Sequence, residues 1–356
     1  MGADPWLDYH DKLTAPLSEI VGAKPSEIVI MNQLTVNLHL MMMSFYQPAG
    51  RKTKILCEAK AFPSDQYMLE SQCRIHGLNP EETIIEVGPR PGEDLIRLED
   101  ILQCIEDHKE ELVLVLWGGL NYYTGQFFDI AVIAKAAHDA DAMIGVDFAH
   151  AAGNLPLSLH NWDLDFACWC SYKYLNSGPG AIGGAFIHER YHIRPLNRLA
   201  GWWGYHKETR FKMEKGFVPM PTAEGWQLST PSPILYASHL ASLEIFEEAG
   251  MEKLRHKSIR LTGFLQFLLE EINHKTPEPM VRVLTPASED WKGCQLSLLI
   301  PGHGRRIYDA LMQAGIFVDW REPDVIRLAP VPLYNRFEEV WHFSRLLAEV
   351  LDSVTR

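Results

Sequence analysis

Three apolar runs do most to decide what this chain can fold into: ELVLVLW (111–117), AMIGVDF (142–148) and FACWCSY (166–172). None alternates cleanly between apolar and polar residues, so each buries both faces if extended. Strands of that kind belong to parallel sheets covered by helices on both sides. Their neighbours repeat the pattern. KILCEA (54–59) precedes a helical stretch around 65–76, TIIEV (83–87) one around 97–108, and the run at 111–117 one around 129–140; AIGGAFIH (181–188) adds a further strand. The expected fold class is α/β with a mainly parallel sheet.

Order weakens from about residue 195, through GWWGYHKETRFKMEKGFVPMPTAEGWQLSTPSP (201–233). Loops this long inside a compact chain are usually functional or interfacial. Helical patterns return at 233–248 and 250–273, followed by VRVLT, CQLSLLI, a helix at 304–314, VIRLAP and a closing helix at 336–353. The expected division is a large domain over 1–254 and a smaller α/β domain over 255–356.

With 33 Lys and Arg against 46 Asp and Glu, the chain carries −13. That balance argues against nucleic acid or an anionic membrane as partner, because both need clustered basic residues. The six cysteines are scattered without a CxxC pair, so neither a zinc site nor a disulfide framework is indicated. Cys168 and Cys170 point to one face of a strand and read as core. The amino terminus lacks the regions of a signal peptide, and Trp6 stands where a myristoylation pattern needs Ser or Thr. No apolar run is long enough to span a membrane. A reducing, cytoplasmic location is expected.

Two motif matches fail on context. GPGAIG (178–183) fits the dinucleotide fingerprint, but leads into a strand instead of opening a helix. HERYH (188–192) fits the zinc-protease pattern, yet Pro195 and the glycine-rich strand before it leave little room for the required helix, and Glu208 and Glu214 are weak third ligands. No metal is expected.

Asp147 and Lys173 form a more telling pair. Asp147 ends an apolar strand, where a carboxylate is costly to bury without a partner. Lys173 follows at the end of the next apolar run, and carboxyl ends of strands in such sheets are where ligands bind. An acidic residue and a lysine so placed meet the needs of pyridoxal phosphate: an amine for its aldehyde and a carboxylate for its ring nitrogen. A buried ion pair joining two strands is the alternative. The segment LTVNLHLMMMSFY (34–46) is apolar all round and reads as a buried helix. Thr35 is its expected N-cap, and its first turn offers N–H groups to an anion.

Around these residues the sequence resembles the kynureninase family. The motifs are EAKAFPSD (58–65), YYTGQ (122–126), VDFAHAAGN (146–154), DFACWCSYKYLN (165–176), AGWWG (200–204), TRFKM (209–213) and IRLAPVPLYN (326–335), and they cover nearly the whole chain. The resemblance implies a fold-type I pyridoxal-phosphate enzyme, with a mainly parallel seven-stranded-type sheet, helices on both faces and a smaller C-terminal α/β domain. It also implies hydrolysis of L-kynurenine or 3-hydroxykynurenine to anthranilate or 3-hydroxyanthranilate plus L-alanine, in tryptophan catabolism and NAD biosynthesis.

Carried onto this chain, the family's pattern makes Lys173, Tyr172 and Asp147 catalytic. Lys173 would bond the cofactor and Asp147 would pair with its ring nitrogen. Phe62 would stack on the ring, with Pro63, Ser64 and Asp65 completing that turn. Leu34, Thr35 and Tyr172 would take the phosphate, and His150 would lie beside the ring, near substrate. Trp202 and Thr230 would come from the partner of a homodimer, and Arg327 would clamp the substrate carboxylate. Gly118 stands where members can have a cofactor-contacting Ser. Thr230 stands where animal members have Asn, at a position tied to the choice between the two substrates. Animal members carry roughly a hundred further N-terminal residues, about the size of a small domain; a truncated, catalytically silent homologue is therefore one alternative. Another is a different fold-type I enzyme, a cysteine desulfurase or class V aminotransferase.

Overall fold

The computed structural model describes residues 6–275 and 280–355; the segment 1–5, on which the leader and lipidation readings partly bear, lies outside them. The chain divides into two compact units. The first comprises Met1–Arg90, Ile96–Gly119 and Phe128–Glu248, and the second Pro91–Leu95, Leu120–Phe127 and Ala249–Arg356.

In the first unit the chain runs α1 (Asp11–Val21), β1 (Ile28–Ile30), α2 (Leu34–Phe45), β2 (Lys54–Glu58), α3 (Pro63–Ile75), α4 (Pro80–Thr83), β3 (Ile84–Val87), α5 (Leu98–His108), β4 (Leu112–Gly118), α6 (Ile130–Asp139), β5 (Met143–Asp147), β6 (Phe166–Trp169), β7 (Gly184–Ile187) and α7 (Pro233–Ala249). Seven strands form one sheet in the order β1-β7-β6-β5-β4-β2-β3. From β3 to β6 every pairing is parallel, while β7 is antiparallel to both β6 and β1. Six strands therefore share one direction. All four residues of β6 are buried, as are six of the seven of β4, which is why these segments read as continuous apolar runs.

Leu38, Met41 and Phe45 of α2 and Met68 of α3 share a core with Phe166, Cys168 and Ile187 of the sheet. Helix α6 buries Ile133, Ala134 and Ala137 and packs on β5. The sequence pattern did not show α1 or β1, whose apolar stretches are short. It also placed the N-cap of α2 at Thr35. The helix begins at Leu34, and its N-cap lies two residues earlier than expected, at Gln33, in extended conformation and without a side-chain cap. Thr35 sits inside the first turn, where a hydroxyl cannot cap.

The second unit contains α8 (Met251–His274), β8 (Arg282–Val283), β9 (Leu296–Leu299), α9 (Gly304–Gln313), β10 (Asp319–Arg321), β11 (Val325–Leu328) and α10 (Phe337–Thr355). Its four strands pair antiparallel in the order β10-β11-β9-β8. Leu261, Leu265 and Leu269 of α8, Ile307 and Leu311 of α9 and Phe343 and Leu347 of α10 cover them around Leu296, Leu298 and Ile326. The segment 120–127, containing YYTGQ, is stitched to this sheet by Ser297 Oγ donating to Tyr123 O (2.6 Å) and Thr285 Oγ1 donating to Thr124 O (2.6 Å). No described helix is long and apolar enough to cross a membrane.

Gly145, in the middle of β5, has no room for a side chain, because a Cβ there would lie 2.0 Å from Cζ of Phe166 on the adjacent strand. Overpacking of this kind typically costs about 1–3 kcal/mol. Gly145→Ala is expected to lower the melting temperature by several degrees, read by circular dichroism; an unchanged melt would mean the two strands separate more easily than their packing indicates.

Candidate active site

Five parallel strands deliver the chain to turns along one edge of the large sheet. β1 leads to Leu34 and Thr35, β2 to Phe62–Asp65, β4 ends at Gly118, β5 ends at Asp147 with His150 just beyond, and β6 leads to Tyr172 and Lys173. β5 lies between β4 and β6, so Asp147 is central. This is the ligand-binding edge of an open α/β sheet.

Lys173 is not on the strand itself. β6 stops at Trp169, and the chain turns as the Ser171 hydroxyl donates to Ile182 O and Ser177 N–H donates to Ser171 O. The ammonium lies 5.7 Å from the Phe62 ring centre and 5.9 Å from that of Tyr172. Both aromatic residues are exposed, Phe62 by 37% and Tyr172 by 43%. Two open rings beside a lysine form a surface suited to a planar group.

Asp147 Oδ1 accepts the Ala149 N–H at 2.7 Å. The residue keeps some access to solvent, yet its carboxyl is enclosed by protein. Burial raises that carboxyl above its usual range; the Lys173 ammonium and a hydrogen bond with Asp65 pull it back down. Asp65 is displaced further. Burial raises it most, Asp147 and Glu58 add to the rise, and the Ser64 hydroxyl, 3.3 Å from Oδ1, opposes it. The two carboxyls titrate as a pair sharing a proton. Asp65 holds the proton and donates it in a hydrogen bond, leaving Asp147 ionised toward Lys173.

Burial and the neighbouring Cys170 push the Tyr172 phenol up to about 12, so it remains an O–H donor at neutral pH. Burial raises the Cys170 thiol as well. Ser64 and Asp65 occupy the first turn of α3, started by Pro63. The first turn of α2, with Leu34 and Thr35, meets no capping side chain at Gln33 and so presents N–H groups to an anion. His150 lies in the turn after β5, its ring centre 6.0 Å from that of Tyr174.

Gly118 abuts a carboxylate. A Cβ at this position would lie 2.6 Å from Glu58 Oε1, at the buried end of β2, so Glu58 occupies space that a serine side chain would need. Trp202 and Thr230 come together on the rim of an open recess with Leu228 and Ser229. Trp202 Nε1 donates to Arg210 O at 3.3 Å, and its ring meets that of Phe211 edge-on. Arg327 belongs to the second unit, on β11. Its guanidinium is bound by Asp319, the residue directly opposite on β10, and also donates to Tyr122 O.

The rejected motifs resolve clearly. GPGAIG forms the loop before β7 and opens no helix; Gly178 and Gly180 have φ of 88° and 70°. The two histidines of HERYH diverge. His192 Nε2 meets Ile187 O at 3.0 Å, whereas His188 stacks on His160 (5.0 Å) above the buried Glu27. Donors already occupy this cluster: Glu27 accepts N–H groups from Lys24 and Glu189 and binds His160 Nδ1, and His188 Nδ1 accepts Arg190 N–H.

Sequence reasoning missed three residues here: Glu58, Cys170 and Asp319. Glu58 opens a quoted motif, but its approach to Asp65 depends on how β2 and α3 meet. Asp319 became visible only with β10.

The Asp65–Asp147 pair makes stability depend on pH. A carboxyl raised in the folded state favours folding below its unfolded value, and this contribution is lost as pH rises through the folded value. In cofactor-free protein, Asp65→Asn should therefore give little stabilisation near pH 4 and progressively more as pH rises. Thermal melts between pH 4 and 8 test this, and a stabilisation independent of pH would refute the shared proton.

Residues 254–347 match the family model described as the kynureninase C-terminal domain. The kynureninase of Flavobacterium psychrophilum is 54% identical over 344 residues, spanning 96% of this chain and 81% of that protein. The kynureninase of Myxococcus xanthus is 53% identical over 347 residues, spanning 97% and 80%. Among solved structures, the apo cysteine desulfurase of Thermococcus onnurineus superposes with a TM-score of 0.79 at 19% identity, covering 97% of this chain and 84% of that one. An alanine–glyoxylate aminotransferase from Nostoc gives a TM-score of 0.72 at 15% identity, covering 97% and 87%. At such identities these structures share the fold alone. Half-identity along almost its entire length makes this chain a member of the kynureninase family.

Proposed function

We propose that this chain is a pyridoxal-phosphate-dependent kynureninase, which uses water to cleave the Cβ–Cγ bond of L-kynurenine or its 3-hydroxy form, releasing an anthranilate and L-alanine. The observation that carries this reading is the Lys173 ammonium lying beside two exposed rings and acting electrostatically to lower the enclosed Asp147 carboxyl. The cofactor fits these residues: an amine for its aldehyde, an aromatic face for its ring, an anionic carboxylate for its ring nitrogen and an uncapped helix start for its phosphate.

Pyridoxal phosphate, when bound, supplies an electron sink that allows the substrate α-proton to leave and the Cβ–Cγ bond to break. Lys173 would hold it through Nζ, and the same amine would move the substrate α-proton. Asp147 would hold a proton on the ring nitrogen, kept ionised for that task by Lys173 and by the hydrogen bond from Asp65. Phe62 would cover one ring face and His150 would lie alongside. Leu34 and Thr35 would bind the phosphate through backbone N–H groups, and the Tyr172 hydroxyl, a donor at working pH, would reach the same oxygens. Arg327 would receive the substrate carboxylate in its planar fork, which requires Asp319 to share or release it.

The exposed Trp202 and Thr230 would complete the site of a second copy, making the working unit a homodimer. A cytoplasmic setting accords with six cysteines of which none is disulfide-bonded. A desulfurase would need a mobile cysteine nucleophile, and Cys294 is fully buried just before β9.

Protein mixed with pyridoxal phosphate and L-kynurenine should generate anthranilate fluorescence, and running 3-hydroxykynurenine alongside sets the preference. Lys173→Ala should lose both the lysine-bound cofactor absorbance and turnover. A protein that binds the cofactor at Lys173 but forms neither anthranilate from L-kynurenine nor 3-hydroxyanthranilate from 3-hydroxykynurenine would refute this function.

A further inference from the structure

The loop carrying Lys173 is closed by short-range hydrogen bonds, among them Asn176 Nδ2 donating to Tyr174 O at 2.9 Å and Ser177 Oγ 3.4 Å from Leu175 O. Ser177 N–H donates to Ser171 O and Asn176 N–H donates to Lys173 O, both at 3.1 Å, with Asn176 in the left-handed region at φ 56°. Beyond the Ser171 hydroxyl's bond to Ile182 O, helix α7 fastens this loop to the first unit at several points. Ser238 Oγ donates to Ser177 O at 2.6 Å, the Ser242 hydroxyl donates to Leu175 O, and His239 Nδ1 meets Ser177 Oγ at 2.7 Å. One turn earlier, Tyr236 Oη donates to Ile30 O at 2.8 Å. Ile30 ends β1, the strand that feeds Leu34 and Thr35.

Positions 236, 239 and 242 fall on one helix face. A single buried stripe of α7 therefore grips both the lysine loop and the entry to the anion-facing helix. His239 is the odd member. It is fully buried, and burial pushes its pKa down to about 4, so the ring is neutral. Its Nε2 has no hydrogen-bond partner. A buried imidazole with one nitrogen unsatisfied is a poorer packing group than an aliphatic side chain. The bond to Ser177 is the contact that distinguishes histidine from leucine here.

We infer that His239 is a positioning residue for Lys173: with Ser238 and Ser242 it fixes the loop 171–177 to α7, while Tyr236 fixes the approach to α2 to the same helix. The lysine and the anion-binding turn are thereby held at a constant separation, matched to a rigid ligand that bridges them. This assignment rests on reading Lys173 as the cofactor-bearing lysine.

His239→Leu tests the inference. Binding of pyridoxal phosphate should weaken about tenfold, and the pH midpoint of the bound-cofactor absorbance should move from the parent value. With kynurenine, kcat should fall roughly 10- to 100-fold with KM little changed, as expected when a reacting group is misplaced by about an ångström. The melting temperature of the cofactor-free protein should hold or rise, because an unsatisfied buried nitrogen is removed. His239→Asn, whose amide can take the place of Nδ1, should restore most of each property. Ser242→Ala, a smaller change, should move cofactor binding and kcat in the same direction. Parent-like cofactor binding, pH midpoint and kcat in His239→Leu would overturn the inference, as would a loss of kcat that tracks a lower melting temperature with the midpoint unmoved. Lys173→Ala separates the two levels. A borohydride-reducible attachment persisting there overturns the lysine assignment and this inference with it; its loss there, beside an unperturbed His239→Leu, overturns the positioning role alone.

Discussion

A carboxylate enclosed at the end of a buried strand must be neutralised, paired or protonated, and the site is arranged around how Asp147 meets that demand. The Lys173 ammonium and a hydrogen bond with Asp65 both favour its charged form. The proton on Asp65 lets two carboxyls stand together without a second cation, and Glu58 strengthens its retention. The arrangement is costly in cofactor-free protein, and under the proposed function a cationic ring nitrogen beside Asp147 would offset that cost. The turns after β2, β5 and β6 must all hold their places for that balance to persist. Strand order supplies this, since β5 and β6 are neighbours and β4 and β2 follow directly.

Much of this could be read in the sequence. Strands buried on both faces, such as LVLVLW and FACW, leave an unambiguous apolar signature, and so the parallel sheet was legible. Asp147 and Lys173 stood out because each interrupts such a run with a charge. Other features depend on geometry that no local pattern carries. β1 is three residues long and β10 is partly exposed, leaving no periodicity to detect. The pattern puts the N-cap of α2 two residues late, because a threonine suggests a side-chain cap that Gln33 does not provide. The hydrogen bond between Asp65 and Asp147, and the Asp319 partner of Arg327, exist only after strands pair and a helix docks.

The second unit makes a similar point about segments. YYTGQ lies far in sequence from β9 and β11, yet its backbone oxygens are hydrogen-bonded by Thr285, Ser297 and Arg327. A peptide stretch whose carbonyls are committed in this way behaves as part of the sheet's framework. Its position in the sequence gives no hint of that membership. The chain is divided by contacts, and the divisions cross its linear order.

The residues singled out in the first unit's site stand at the last positions of strands or in the turns and helix starts just beyond them, while most residues that make the sheet cohere lie further back along the strands. Core and chemistry can therefore vary independently. A lineage can exchange the turns one at a time and keep a folding backbone throughout, or drift through the apolar interior and keep its reaction. For a designer, the same separation marks the loops after β2, β5 and β6 as the places to rewrite specificity, and the strands as scaffold to leave alone.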